Sequence, residues 1–340
     1  MSLALRADAL PAESSKPMPA EAFPLRERAA HWLSRHPVLP FPGRGATLER
    51  WRVLADIAAE DVCLAKLLEA HYDAQAIAAE LGVDGPGRDE LWGVWAAEPP
   101  GDTLRFESGQ AADPAAERGC LQGGKSWCSA AAWLTHALVT ARQGERRVLA
   151  AVRLDGHAVI DDTCWQAVGM RRIDSGRVVF IDAPAMRIGT PDRYLQRPGF
   201  WHGGAGIAAC WFGASCAIAA RLRTDRRLRD DPHAAAHLGA IDVRLAALAA
   251  LLRQTAACID ADPVQPHRHR VMQLRGAAEA AAREVIDRCA RALGPGPLCN
   301  EGAHAQRSAD LSIFIRQHHA ERDLAALGVL ASREATTWRL

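Results

Sequence analysis

The segment LQGGKSWCSA occupies residues 121–130, near the middle of the chain. Trp127 and Ser129 are two residues apart, so on a strand their side chains lie on the same face. Such a face offers an indole ring and a hydroxyl group to a flat ligand. A tryptophan at this spacing is more often part of a core, so the segment alone leaves both interpretations open.

Short β-rich runs surround this segment, separated by the turn signals Asp155-Gly156 and Ser175-Gly176. The runs are residues 133–142, 148–154, 158–160 and 177–181. Several short strands without helices between them favour a small antiparallel β domain over a doubly wound parallel sheet.

Helical patterns flank the β region on both sides. Residues 48–81 repeat apolar side chains at three- and four-residue spacing, and Gly82 is suited to end that helix. Beyond Gly203, long segments rich in Ala, Leu and Arg predict an up-and-down bundle. These segments are residues 204–222, 240–259, 269–293 and 309–330.

The sequence thus predicts an α+β, mainly α fold in three parts. An N-terminal helical domain takes residues 1–90, of which the proline-rich residues 1–45 are expected to be irregular and to wrap the surface. A middle antiparallel β domain takes residues 91–196, and a C-terminal four-helix bundle takes residues 197–340.

Charge and cysteine content exclude several classes of protein. The 340 residues carry a formal net charge of +1, so no basic excess points to nucleic acid or to a membrane surface. The nine cysteines include no Cys-x-x-Cys pair, which argues against a zinc ribbon or a disulfide scaffold. The N-terminus has no signal-peptide pattern, and the most apolar stretch, residues 205–220, is short for a membrane span. A cytoplasmic protein is expected.

Two motif-like clusters are given structural interpretations. Residues 204–209, GAGIAA, fit the glycine pattern of a dinucleotide turn, but no buried strand precedes them, so they are interpreted as a closely packed helix. His318 and His319, and likewise His267 and His269, lack the i, i+4 spacing of helical metal ligands. No metal site is predicted.

Several motifs in chain order resemble the acyl-CoA dehydrogenase superfamily. The run Gly-Lys-x-Trp-x-Ser at residues 124–129 resembles the strand that covers the flavin in that family. The pattern from Trp165 through Gly169-Met170 to Ser175 resembles a later strand, and residues 96–99, AAEP, resemble the flavin and substrate loop. Residues 292–297, ALGPGP, and Arg316-Gln317 stand where the family has a glycine-rich turn and an Arg-Asp pair.

The resemblance implies a flavin enzyme that binds FAD. It implies that Ser129 contacts the flavin edge, that Trp127 stacks near the ring with Cys128 between them, and that the backbone from Ala96 through Ala97 to Glu98 holds the pyrimidine side. The substrate would be an acyl-CoA or another acyl-carrier thioester. The partner would be an electron acceptor such as an electron-transfer flavoprotein, or a flavin reductase. A homodimer or homotetramer would form through the helical bundle, whose segments 240–259 and 269–293 have Ala- and Leu-rich faces.

The sequence departs from the family at the catalytic base. The usual glutamate position, about nine residues after the Arg-Asp pair, falls on Ala325. The start of the first bundle helix, where other members place the base, reads Trp-His-Gly-Gly at residues 201–204. His202 is the first substitute to consider because imidazole titrates near neutral pH. Glu321 is a second, and His318 or His319 a third.

Three functions follow from these motifs. The first is α,β-desaturation of an acyl thioester, or its reverse, by a FAD-dependent oxidoreductase acting on CH–CH groups. The second is a monooxygenase of the same fold that uses reduced flavin and O₂, which needs no base for an α proton. The third is a non-catalytic scaffold that binds an acyl group or a partner protein.

Overall fold

The computed structural model describes residues 25–109, 117–161 and 163–333. The expectation of an irregular N-terminal segment falls partly outside these ranges, since residues 1–24 are not among them. Within them the expectation is wrong for one stretch, because Leu25–Arg35 forms helix α1. Leu25 and Ala29 are its buried residues, which is the apolar face that makes a helix stable there.

The predicted helix over residues 48–81 is two helices, α2 (Thr47–Glu60) and α3 (Val62–Leu81). They separate at Asp61, whose backbone is extended and whose carboxylate accepts hydrogen bonds from the backbone N–H groups of Cys63 and Leu64, at 2.9 and 3.1 Å. Asp61 therefore caps α3 and ends α2. Gly82 ends α3 with a left-handed backbone (φ 71°), as predicted.

Seven strands form the middle of the described chain, and their bounds are β1 (Trp92–Trp95), β2 (Arg105–Ser108), β3 (Arg118–Lys125), β4 (His136–Gln143), β5 (Arg146–Arg153), β6 (Ala158–Asp161) and β7 (Arg177–Ile188). Strands β4, β2, β3, β7 and β5 pair in a closed ring, while β1 adds to β4 and β6 adds to β7. Most pairings are antiparallel, as predicted, but β4 pairs in parallel with β1 and with β2. Closure of the ring leaves few free edges in this domain.

The prediction of a strand through Trp127 and Ser129 is wrong. Strand β3 ends at Lys125, and residues 126–130 form a tight loop in which Trp127 and Ala130 have positive φ angles of 61° and 63°. The predicted strand over residues 133–142 likewise begins only at His136.

The C-terminal part is helical, with α4 (Arg193–Gln196), α5 (Pro198–Arg223), α6 (Pro232–Ala261), α7 (Arg268–Leu293), α8 (Pro295–Asn300), α9 (Gly302–Phe314) and α10 (Glu321–Ala331). The first three predicted bundle helices correspond to α5, α6 and α7. The fourth, residues 309–330, is wrong because the chain leaves the helix after Phe314 and re-enters at Glu321. The interruption includes Ala320 at φ 47°.

The glycines of α5 allow close helix packing. The GAGIAA segment lies inside α5, which excludes a strand-to-helix dinucleotide turn. A Cβ atom added at Gly213 would lie 2.0 Å from the carbonyl oxygen of Ala55 on α2. Packing thus requires the glycine at position 213, whereas a Cβ atom at Gly206 would make only ordinary contacts with Leu54 and Trp51 and one at Gly204 would meet nothing within 4 Å.

A buried ion-pair network joins the three parts of the chain. Arg172, between β6 and β7, donates to both carboxylate oxygens of Asp61 at 2.7 and 2.9 Å. Arg172 also lies 3.5 Å from Asp310 of α9, and Asp310 accepts the backbone N–H of Met170 at 2.5 Å. These contacts fix α3, the strand domain and α9 relative to one another.

Among the described residues, two helices, α5 and α6, are long and apolar enough to cross a membrane by length and composition alone. The most apolar window of α5 is 67% buried inside the protein, which is ordinary for a core helix, whereas that of α6 is only 17% buried. Helix α6 therefore presents an apolar face to solvent.

Candidate functional site

The loop after β3, residues 126–130, is held rigidly by hydrogen bonds. The Asp102 carboxylate accepts the Ser126 backbone N–H at 3.0 and 3.2 Å and the Ser126 hydroxyl at 2.7 Å. Trp127 follows, with 53% of its surface exposed and its ring edge-on to Trp165 at 6.2 Å. The Trp165 indole N–H is buried without a hydrogen-bond partner among the described residues. The loop thus displays an aromatic face beside a donor that lacks an acceptor.

Ser129 and Cys128 differ in what they can offer a ligand. The Ser129 hydroxyl lies 2.7 Å from the hydroxyl of Ser175, on the stretch that leads into β7. The Cys128 side chain is buried and donates to the carbonyl of Lys125 at 3.3 Å. Burial raises the pKa of the Cys128 thiol to about 12, so it stays protonated at neutral pH.

Glu98, which follows Ala97, borders a separate cavity of about 240 Å³ that Asp102 and Lys125 also line. The carbonyl of Ala97 accepts a hydrogen bond from the buried ammonium group of Lys125 at 2.7 Å. Arg147 donates twice to Glu98, at 2.6 Å each. Burial opposes ionisation of Glu98, but the hydrogen bonds from Arg147 outweigh it and hold the pKa of this carboxyl below its usual value.

A second cavity, of about 320 Å³, lies between α3, α5, α7 and the interruption that follows α9; we call it the inter-helix cavity. Its lining mixes charged and aromatic side chains. They are Glu69, Asp73, Tyr194, Arg197, Phe200, Trp201, Ile207, Met272, Arg275, Gln317, His318, His319 and Asp323, with Gly203 and Gly204.

Each cation around the inter-helix cavity bonds to another group, although the Nε atom of Arg197 has no partner among the described residues. Lys66 donates to Glu69 at 2.6 Å, and Arg197 donates to Glu80 at 2.6 Å. Arg275 donates to two backbone carbonyls, at 2.7 and 3.0 Å, and its guanidinium lies 5.0 Å from the Trp211 ring.

Asp73 is the exception among the carboxylates of this cavity. Its Oδ1 atom is inaccessible to water and has no hydrogen-bond partner among the described residues. A Cβ atom at Gly203 would lie 2.6 Å from this oxygen, so the glycine makes room for it. Burial raises the pKa of Asp73, and the charge of Arg197 only partly offsets this.

His318 is buried in the wall of the same cavity. Its Nδ1 atom accepts the backbone N–H of Ala320 at 3.2 Å, which places the ring proton on Nε2. Burial lowers the pKa of His318, so the ring is neutral at pH 7.

No protein-family model matches the sequence, and no curated protein is significantly similar to it. Solved structures do match. Butyryl-CoA dehydrogenase from Megasphaera elsdenii superposes with a TM-score of 0.71 at 15% identity, over 90% of this chain and 89% of that one. TdsC from Paenibacillus sp. A11-2, solved with FMN and indole, gives 0.70 at 18% identity over 82% of each chain. KijD3, solved with FMN and a dTDP-linked amino sugar, gives 0.70 at 17% identity, over 91% of this chain and 84% of that one.

The chain has the acyl-CoA dehydrogenase fold. The resemblance noted in the sequence is confirmed at the level of the fold. At 15–18% identity these comparisons show the fold alone. The substrate and the reaction depend on this chain's own residues.

The candidate bases occupy different places in this acyl-CoA dehydrogenase fold. His202 is buried and donates from Nε2 to the carbonyl of Gln265 at 2.8 Å, and burial lowers its pKa. It lines a third cavity, of about 260 Å³, that shares Asp73 and Arg197 with the inter-helix cavity. Glu321 is exposed at the first residue of α10, and Ala325 is exposed on the same helix.

His319 lines the inter-helix cavity beside His318. It is largely exposed, with its ring 3.4 Å from the carboxylate of Asp323. Within residues 25–109, 117–161 and 163–333, no three His, Cys, Asp or Glu side chains are grouped so as to hold a metal ion.

The charged residues of the inter-helix cavity were not singled out from the sequence. A signal was present on α3, where Lys66, Glu69 and Asp73 follow each other at three- and four-residue spacing inside an otherwise apolar helix. No such pattern surrounds Arg197 or Arg275, because their positions in the sequence do not indicate which residues they contact in the fold.

Proposed function

We propose that this protein is a flavin-dependent monooxygenase that acts on a small polar substrate in the inter-helix cavity. The observation that carries the proposal is the charged lining of that cavity, with the neutral His318 in its wall. An apolar acyl chain would cover Asp73 without supplying a hydrogen bond, which is costly for a carboxylate. Ala325, where the family resemblance places the base, has no proton-accepting group.

The loop after β3 fits a flavin ring. The exposed indole of Trp127 would stack on the ring, the Ser129 hydroxyl would bond its edge, and the backbone at Ala97 would face its polar side. The unpartnered indole N–H of Trp165 offers one more donor for a ring carbonyl. When bound, a reduced flavin would supply the electrons that activate O₂.

His318 would act as a hydrogen-bond donor in the cavity. Its Nε2 atom carries the proton, because Nδ1 accepts from Ala320. Since burial keeps the ring neutral, His318 can give a hydrogen bond from Nε2 to an oxygen atom at neutral pH. The aromatic side chains Phe200 and Trp201 would limit the access of water to that oxygen.

The similar structures support a flavin, but the kind of flavin in them differs from the one that the sequence resemblance implies. TdsC and KijD3 were solved with FMN, whereas the sequence resemblance implies FAD. We propose that the flavin reaches this protein in its reduced form from a separate reductase.

Desaturation of an acyl thioester is the second candidate function. Asp73 favours it, because a carboxyl group with a raised pKa beside a cavity is suited to accept a proton. In that case FAD would stay bound between turnovers, and an electron-transfer flavoprotein or similar acceptor would reoxidise it.

Anaerobic equilibrium dialysis with FMN and FAD, each oxidised and reduced, distinguishes these functions. A monooxygenase fed by a reductase should bind reduced flavin at least about tenfold more tightly than oxidised flavin, a difference of about 1.4 kcal/mol. FAD that copurifies in the oxidised form and is bleached anaerobically by butyryl-CoA would support desaturation instead. Absence of binding in all four titrations would leave a non-catalytic scaffold.

We also propose that two copies of the chain associate through α6. The helix exposes small apolar residues along one side, and Val243 among them is 72% exposed. Val243→Arg should shift the protein to a smaller species in sedimentation velocity, because a charge would be buried at the interface. Arg253→Lys, at an exposed position on the same helix, is the control; sedimentation of both variants as the unchanged protein would contradict the proposal.

A further inference from the structure

Among the described residues, no positively charged side chain is in direct contact with Asp73. The nearby cations bond elsewhere: Lys66 bonds to Glu69, Arg197 to Glu80, and both Arg275 and Arg50 to backbone carbonyls. The Nε atom of Arg197 has no hydrogen-bond partner among the described residues. No described residue donates a hydrogen bond to Asp73. Asp73 is partly buried and lines the inter-helix cavity, so a ligand there can bring a positively charged donor to its carboxylate.

The cavity beside Asp73 has room and apolar surface for the rest of such a ligand. Its volume of about 320 Å³ exceeds the share of a single water molecule roughly tenfold. Phe200, Ile207 and Met272 line it, and the Phe200 ring meets Tyr194 edge-on at 5.6 Å. An apolar body can pack on these side chains while a charged end reaches α3.

Gly203 makes room for the Asp73 carboxylate. Any side chain there would meet Oδ1, since even a Cβ atom would come within 2.6 Å of it. The position lies in α5, where glycine is otherwise unfavourable relative to alanine.

We propose that the inter-helix cavity binds an organic primary amine in its protonated form, with the ammonium group on the Asp73 carboxylate and the apolar part against Phe200, Ile207 and Met272. This rests on the proposed function, for which it names the substrate class. A site of this kind binds a positively charged ligand, whereas an acyl thioester site binds an uncharged acyl group.

Isothermal titration calorimetry of the protein with benzylamine tests the proposal, with benzyl alcohol as the neutral ligand of the same shape. Benzylamine should bind at least about tenfold more tightly than benzyl alcohol, in line with a hydrogen bond to a charged group. Asp73→Asn should remove that preference. Asp84→Asn, an exposed carboxylate just beyond α3, should leave it unchanged.

Gly203→Ala provides a second variant if Asp73→Asn does not fold. The added methyl group should displace the Asp73 carboxylate and reduce the preference for benzylamine. Equal affinity for the two ligands in the unaltered protein, or an unchanged preference in a folded Asp73→Asn, would overturn the proposal. Because calorimetry detects benzylamine without flavin or turnover, its result does not depend on whether the protein is an oxygenase.

Discussion

The loop after β3 and the inter-helix cavity differ in which of their groups have partners inside the protein. In the loop, the Ser126 and Ser129 hydroxyls both have partners inside the protein, and the aromatic ring of Trp127 is left to meet a ligand. In the cavity, the aromatic rings pack on one another and the Asp73 carboxylate is left without a partner. The loop therefore presents an aromatic surface, and the cavity presents a charged group.

The largest expected effect belongs to the loop. Trp127→Ala should weaken flavin binding by about tenfold or more, since stacking of a flat ring on an aromatic side chain contributes roughly 1–3 kcal/mol. Quenching of flavin fluorescence measures this directly. Trp127→Phe keeps an aromatic face and should retain most of the affinity; equal losses in both variants would contradict a stacking role.

Removal of the loop's anchor should come next. Asp102→Ala deletes the acceptor of the Ser126 backbone and hydroxyl groups and should lower the free energy of unfolding by about 2 kcal/mol. Asp102→Asn keeps one acceptor oxygen and should cost less. Urea denaturation measures both, and an Asp102→Ala variant as stable as the parent would show that the loop is held by other contacts.

Neutralising the cavity carboxylate Asp73 should stabilise the protein, whereas removing Asp102 should destabilise it. Because burial raises the pKa of Asp73, its ionised form destabilises the fold at neutral pH, and Asp73→Asn should raise the melting temperature by about 2 °C at pH 7. The gain should vanish below about pH 4, where the unfolded-state carboxyl is also protonated. A lower melting temperature for the variant at pH 7 would show that Asp73 stabilises the structure.

The smallest expected effect concerns His318. Burial lowers the pKa of His318. Below about pH 6.5 the unfolded chain therefore takes up a proton that the folded protein resists, and the free energy of unfolding decreases as the pH is lowered. His318→Gln should make the decline between about pH 6.5 and 5 shallower. Chemical denaturation at several pH values measures it, and parallel curves would indicate a histidine that titrates normally.

The same two regions show what the sequence could predict. Periodicity and turn signals located β5, β6, β7 and the long helices, because these elements depend on local patterns. The conformation of Trp127 could not be predicted, since its positive φ is imposed by hydrogen bonds that the loop backbone donates to Asp102 and to the stretch before β7. The break around Ala320 carries no glycine or proline and depends on tertiary contacts in the same way.

The cavity was harder to foresee than the loop. Two of its acidic residues, Glu69 and Asp73, lie one helical turn apart on α3. Arg197, Arg275 and Asp323 come from separate segments far along the chain. Which cations pair with which carboxylates, and that Asp73 is left over, depends on packing between helices that no sequence spacing encodes.

The most direct test titrates Trp127→Ala and Asp73→Asn with both reduced FMN and benzylamine. The account predicts that Trp127→Ala loses affinity for the flavin and still prefers benzylamine over benzyl alcohol. Asp73→Asn should bind the flavin normally and lose that preference. If each variant loses both ligands, or if neither loses any, then the loop and the cavity are not the two separate binding sites described here.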